Sequence, residues 1–304
     1  MRLAALLAGA CLLAACGSQA ATPVPSSSAA APSPTPTPAP TSSAIPPAAQ
    51  SHVFVIVMEN RSYSQLIGDS YIAGLAARYA VATNYHGVSH PSLPHYLALT
   101  SGSTWGITDD GYQSLPAGGL GAQLSAARIP WRAYMEGMAS GCFHSPYPYA
   151  LKHNPFAYYG GACPSEVVPF TGFAADLGGD VPRFVWITPD LCHDGHDCSS
   201  AVAETWLAQV VPQITATRVW SEGGVLLITW DEGEDSANSV LTLVIHPNPV
   251  IHQSARPYNH YSLLATIEDL LGVPRLGSAA QATPMTDLME SVSLPPLGAA
   301  TNPA

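Results

Sequence analysis

Lysine is almost missing from this chain: Lys152 is the only one in 304 residues, and ten basic residues face 21 acidic ones. A formal charge of −11 excludes nucleic acid or an anionic bilayer as a bulk electrostatic partner. With one lysine and no Gly-x-x-x-x-Gly-Lys run, a P-loop nucleotide site is excluded too. Six cysteines are present, but no Cys-x-x-Cys pair, so the usual thiolate zinc signature is absent. After residue 13 no apolar run is long enough to span a bilayer, and no internal repeat is visible. An acidic protein with so few cations must handle any phosphate locally, through a metal, backbone amides or imidazoles.

The first residues read as an export signal. Arg2 is their only charge, Leu3–Leu13 is apolar, and Leu13-Ala14-Ala15-Cys16 resembles a bacterial lipoprotein cleavage site with Cys16 as the lipidated N-terminus. An ordinary signal peptide cut nearby is the alternative. Residues 17–50 are Ala, Pro, Ser and Thr with hardly anything else and carry no charge, which predicts an extended tether. Residues 51–295 are long enough for one domain with a substantial core, followed by a tail at 296–304. The protein is expected as a monomer on the extracytoplasmic side of the cell membrane, held there by lipid.

Apolar, β-rich runs at 52–58, 183–188, 224–230 and 240–246, with weaker ones near 81–86 and 131–135, alternate with helical patterns at 71–80, 93–101, 120–128, 200–216 and 260–271. The first and third strands are continuously apolar rather than alternating, as in a mainly parallel sheet covered on both faces. The expected fold is α/β, a three-layer α/β/α sandwich. Residues 136–182, rich in Gly, Pro and Tyr, read as an irregular cap.

The chemistry-bearing residues sit where strands should end. Glu59-Asn60 follows one continuous strand and Asp231-Glu232 another, which could bring hard oxygen ligands to one cation; each pair alone could equally cap a helix. Ser92, with Pro94 just behind it, stands at a helix start, where free N–H groups attract an oxyanion; a plain N-cap is the bland reading. Asp190, His193, Asp194, His196 and Asp197 fall within one short loop, as proton-transfer chemistry needs but as a solvated surface loop also would. His153 and His260 are singletons. Cys192 and Cys198 bracket the His-Asp loop, and Cys142 with Cys163 makes the matching pair, so disulfides Cys142–Cys163 and Cys192–Cys198 are expected in an exported domain, with zinc binding by these thiols as the competitor.

Six pieces in order complete the pattern: Val57-Met58-Glu59-Asn60-Arg61-Ser62-Tyr63, His90-Pro91-Ser92-Leu93-Pro94-His95-Tyr96-Leu97-Ala98-Leu99, Lys152-His153-Asn154-Pro155-Phe156, the Asp190–Cys198 loop, Thr229-Trp230-Asp231-Glu232 and His260-Tyr261-Ser262. Together they resemble the bacterial phosphoesterase family of acid phosphatases and phospholipases C, within the alkaline-phosphatase-like superfamily, and most of all its short secreted acid phosphatases, some of which act on phosphoinositides. The resemblance implies that Glu59, Asn60, Asp231 and Glu232 hold one divalent cation (Mg²⁺, Ca²⁺ or Mn²⁺) together with the nucleophile Ser92. It implies that His153 and His196 contact the transferred phosphoryl group. His95, His260, Asp194 and Asp197 are further candidates for substrate contact. His95 stands where the family usually has an Asn that binds a phosphate oxygen.

The reading is a metal-dependent acid phosphatase acting on a phosphorylated small molecule or phospholipid through a phosphoserine. Two rivals are a phospholipase C-like phosphodiesterase and a catalytically silent tethered binding protein. The absence of a C-terminal β module removes a feature of long choline-lipid enzymes without excluding lipid substrates.

Overall fold

Val53–Met58 is buried at every position, so the strand it forms has no face for water and must lie inside a sheet covered on both sides. In the computed structural model, which describes residues 51–248 and 253–289, it does. Cys16, the tether at 17–50 and the tail at 296–304 lie outside the described residues.

The strands in chain order are β1 (Val53–Met58), β2 (Ala80–Ala82), β3 (Tyr85–His86), β4 (Trp131–Met135), β5 (Val167–Pro169), β6 (Phe184–Thr188), β7 (Val225–Trp230), β8 (Thr242–Ile245), β9 (Gln253–Ser254) and β10 (Tyr258–Asn259). The helices are α1 (Tyr63–Leu66), α2 (Ser70–Arg78), α3 (Ser92–Ser101), α4 (Gly119–Ala126), α5 (Phe173–Leu177), α6 (Ser200–Thr215), α7 (Arg218–Ser221) and α8 (His260–Leu271). The main sheet runs β5-β4-β6-β1-β7-β8-β2-β9. All its pairings are parallel except those of β8, which runs against both neighbours. One helix group packs α3 against α4 and α8, with α8 on β1; another packs α6 against α2, α5 and α7, with α2 on β2 and β8. This is the α/β/α arrangement expected from the sequence.

Parallel pairing is what assembles the site. Because β4, β6, β1 and β7 run side by side in one direction, the residues that follow them emerge along one edge. Those residues are Glu136, Asp190, Glu59 and Asp231, and ligands of open α/β sheets bind at that edge.

Three details differ from the sequence pattern. The run near 81–86 divides: β2 joins the main sheet, whereas β3 pairs with β10 in a small second sheet. Helix α1 was not expected; it is held by the Ser62 N–H donating to Gln65 Oε1 at 2.6 Å. The stretch 136–182 is less irregular than a bare cap, since it contains β5, α5 and short 3-10 turns, and the Cys142–Cys163 bond closes over it.

Candidate active site

Glu59 leaves the end of β1 with its side chain fully buried. Its Oε2 accepts a hydrogen bond from Ser92 Oγ at 3.1 Å, and its Oε1 accepts one from the Tyr96 hydroxyl at 2.5 Å. Ser92 is the first residue of α3 and Tyr96 lies about one turn further, so one helix face delivers both hydroxyls to one carboxylate. His153, from the 3-10 turn Leu151–His153, stacks on the Tyr96 ring with centroids 5.1 Å apart and planes 12° from parallel. Its Nε2 lies 3.3 Å from Glu59 Oε1 and its Nδ1 3.2 Å from Asp194 Oδ2.

Asp231 enters from the neighbouring end of β7. Asn60 adopts φ 53°, a left-handed conformation that Asn tolerates better than most residues, and its backbone N–H thereby donates to Asp231 Oδ1 at 3.0 Å. Asp194 arrives from the loop that Cys192–Cys198 clamps, its carbonyl accepting from the Glu59 N–H at 2.9 Å. Gly195 follows at φ +96°, a conformation that lets Asp194 turn inward and His196 outward. Both Asp231 Oδ2 and Asp194 Oδ2 are buried and accept no hydrogen bond.

Three carboxyls in one dry cluster repel one another. Burial, then Asp231 and Asp194, push Glu59 well above the usual carboxylate range. Burial likewise raises Asp231, and takes Asp194 up to about 9. His153 moves the opposite way, well below the ordinary imidazole value, through burial and the nearby Lys152 and His196. All four shifts favour uncharged forms, because burial penalises charge. The donor set fits a divalent cation: mostly carboxylate oxygens, two of them orphaned, with one ligand atom each from Glu59, His153 and Asp194 within 4.8 Å of one another. A bound ion would reverse these shifts and keep the carboxylates ionised.

Around this centre the other expected residues separate. Glu232 turns to a second group, contacting His90 Nδ1 closely and lying 3.4 Å from His95 Nε2. His95 is fully buried, accepts from the Val88 N–H through Nδ1 at 3.3 Å, and so presents Nε2–H towards the site. His260 has both nitrogens engaged, Nδ1 with the Tyr85 hydroxyl at 2.8 Å and Nε2 with the Asp231 carbonyl at 2.5 Å, leaving neither for a substrate. His196 sits at the rim between Asp197, 2.7 Å from its Nδ1, and Lys152, 3.3 Å from its Nε2. Asp190 and His193 turn elsewhere. The His193 Nδ1 lies 3.0 Å from Glu136 Oε2, and Asp190 Oδ1 accepts from the Cys192 and His193 N–H groups. The Asn60 contribution resolved here is its backbone, whereas a side-chain role was expected. Both expected disulfides are formed, with Cα atoms 5.7 Å apart for Cys142–Cys163 and 4.7 Å for Cys192–Cys198. That removes the thiols as zinc ligands.

Tyr96, Lys152, Asp110 and His90 were given no role in the site from sequence. Tyr96 had a signal, since it follows Ser92 at helical spacing in the same motif. Asp110 had none: it lies in an ordinary Asp-Asp-Gly turn and reaches Lys152 Nζ at 3.0 Å only through the fold.

With this geometry in view, comparison with known proteins decides the family. The Phosphoesterase family matches residues 69–274. The chain belongs to that family. A phosphatidylinositol-3-phosphatase of Mycobacterium tuberculosis is 31% identical over 81% of this chain and 85% of its own length. A probable acid phosphatase of Kluyveromyces lactis is 28% identical over 77% of this chain, which spans only 61% of that relative. Among solved structures, the phosphonate monoester hydrolase of Agrobacterium radiobacter superposes with a TM-score of 0.56 at 12% identity, covering 79% of this chain and 77% of that one. A Vibrio parahaemolyticus protein of the alkaline phosphatase superfamily gives 0.55 at 12% identity, covering 74% and 67%. At such identities the structural likeness shows the fold, an α/β core with a mostly parallel sheet. This phosphoesterase is a phosphoric ester hydrolase, and its relatives support phosphatase activity.

Proposed function

We propose that this phosphoesterase is a metal-dependent acid phosphatase that cleaves phosphate monoesters through a phosphoserine on Ser92. The observation that carries the reading is the Ser92 hydroxyl at the start of α3, donating to Glu59 Oε2 at 3.1 Å inside a buried carboxylate cluster. Glu59, Asp231 and Asp194, with Ser92 and His153 beside them, would hold a divalent cation. When bound, such an ion supplies charge neutralisation and lowers the hydroxyl pKa.

The chain's own residues account for the rest. Ser92 Oγ forms the bond to phosphorus as the bond to the ester oxygen breaks, and the serine proton leaves along the hydrogen bond to Glu59. Tyr96 fixes the Glu59 carboxylate in that acceptor orientation. The Ser92 backbone N–H at the start of α3 and the His95 Nε2–H are the donors available to the phosphoryl oxygens, the Leu93 N–H being held by Asp110. The departing alkoxide takes a proton from water, the resulting hydroxide attacks phosphorus as the bond to Ser92 Oγ breaks, and the serine oxygen recovers the proton held on Glu59.

The similarity to a phosphatidylinositol-3-phosphatase supports a phosphoinositide-type substrate. Leu13-Ala14-Ala15-Cys16 and the disulfides support a lipid-anchored, extracytoplasmic enzyme, which a Cys16→Ser variant leaving the membrane fraction would demonstrate. The direct test of the function is hydrolysis of p-nitrophenyl phosphate before and after exhaustive chelation. Activity that disappears and returns with a divalent cation is expected, whereas full activity in chelator contradicts the metal-dependent reading.

A further inference from the structure

Lys152 has no assigned part in the scheme above, yet its surroundings are built to hold an ammonium at the site. It is the only lysine of the chain and directly precedes His153. Arg61, the cation beside Asn60, is committed to the carbonyls of Asn60 at 2.6 Å and Cys198 at 3.0 Å. Lys152 instead donates to Asp110 Oδ2 at 3.0 Å and lies 3.3 Å from His196 Nε2. The His196 Nδ1 is 2.7 Å from the Asp197 carboxylate and carries the ring proton, so its Nε2 lone pair receives the ammonium. An ammonium has three N–H donors. Two are used by these partners, which leaves one for an oxygen in the site.

The other Asp110 oxygen points the same way. Asp110 Oδ1 accepts from the backbone N–H of Leu93 at 3.1 Å, the residue after Ser92. One carboxylate thus ties the ammonium to the helix start that presents the nucleophile. The lysine side chain is only 21% exposed.

We propose that Lys152 binds a non-bridging phosphoryl oxygen and selects dianionic monoesters over monoanionic diesters, with Asp110 and His196 as positioning residues. The inference rests on the phosphatase reading given above. Its physical basis is charge: a monoester at neutral pH carries nearly one more negative charge than a diester, and a charge-assisted hydrogen bond in a half-buried site rewards that difference.

The test compares kcat/KM for p-nitrophenyl phosphate and bis(p-nitrophenyl) phosphate in the full chain and its variants. Lys152→Met should lower the monoester value about a thousandfold and the diester value only about tenfold. Lys152→Arg should retain monoester preference to within about tenfold of the parent, because the charge stays. Asp110→Asn should shift the same ratio in the same direction by a smaller factor, and weaken inhibition by inorganic phosphate. It serves as the deciding variant if Lys152→Met does not fold. Equal losses on both substrates, or an unchanged ratio in Asp110→Asn, overturn the inference and leave a structural ion pair. A parent enzyme that cleaves no monoester overturns the phosphatase reading instead, so the two failures are distinguishable.

Discussion

Ser92 and Glu59 meet at 3.1 Å across 33 residues of sequence, the hydroxyl at the start of α3 and the carboxylate at the end of β1. Neither position explains itself: a serine before a helix is commonly a cap, and an acid after a strand is commonly a solvated loop residue. Their contact in a fully buried setting turns both into chemistry, because a buried carboxylate persists only with partners. The same carboxylate also receives Tyr96, so both of its oxygens are spoken for by one helix.

Tyr96→Phe isolates that second contact. Removing a buried donor from Glu59 is expected to destabilise the fold by about 1–3 kcal/mol. It should also lower kcat by about tenfold, since the Glu59 carboxylate loses its fixed orientation. Thermal melts and steady-state kinetics check both. A variant with parent-like kcat would show that Tyr96 only packs against His153.

The carboxylate cluster predicts an inverted pH dependence for the metal-free protein. The pKa of Asp194 is raised to about 9, and Glu59 and Asp231 are raised in the same direction, burial being the first cause in each. Unfolded carboxyls titrate near about 4. Between the two values the native state holds protons that the unfolded chain has released, so stability is fully present below about pH 4 and declines as pH rises towards 9. The melting temperature of chelator-treated protein should therefore fall across that window, and added divalent cation should flatten or reverse the slope. A melting temperature that rises with pH in chelator would contradict a buried, metal-free acid cluster.

The disulfides should act in opposite orders on stability and activity. Cys142–Cys163 closes a separation of 21 residues and Cys192–Cys198 one of 6. Loop-closure entropy then assigns about 3 kcal/mol to the first and about 2 kcal/mol to the second. The shorter loop, however, carries Asp194 and His196. Paired Cys→Ser variants should show the larger loss of melting temperature at 142/163 and the larger loss of kcat/KM at 192/198. Equal activity losses would mean that the clamp does not position the loop.

Much of this was legible in the sequence, for a physical reason. Strands such as Val53–Met58 and Val225–Trp230 are apolar throughout, and the residue after each lies at the carboxyl edge of the sheet, where ligands bind; that marks Glu59 and Asp231 without a structure. The sequence could not say which way each side chain turns. Glu232 is adjacent to Asp231 but faces His90 and His95, and His260 consumes both nitrogens on Tyr85 and the Asp231 carbonyl. Those choices depend on partners 29 to 175 residues away in sequence. Within the Asp190–Cys198 loop the spacing is equally silent. Asp194 is buried and Asp190 turns to its own loop because Gly195 and the disulfide shape the backbone, not because the residue types differ.

The most direct measurement of the whole account is kcat for Ser92→Ala together with acid-trapped phosphopeptide mapping of the parent enzyme. The variant removes one buried donor from Glu59, a cost of about 1–3 kcal/mol, and should keep its fold. We expect turnover to vanish and phosphate to appear on Ser92 in the parent alone. If Ser92→Ala retains more than about a tenth of the parent kcat, a barrier change under about 1.4 kcal/mol, the nucleophile is another group and the central claim is wrong.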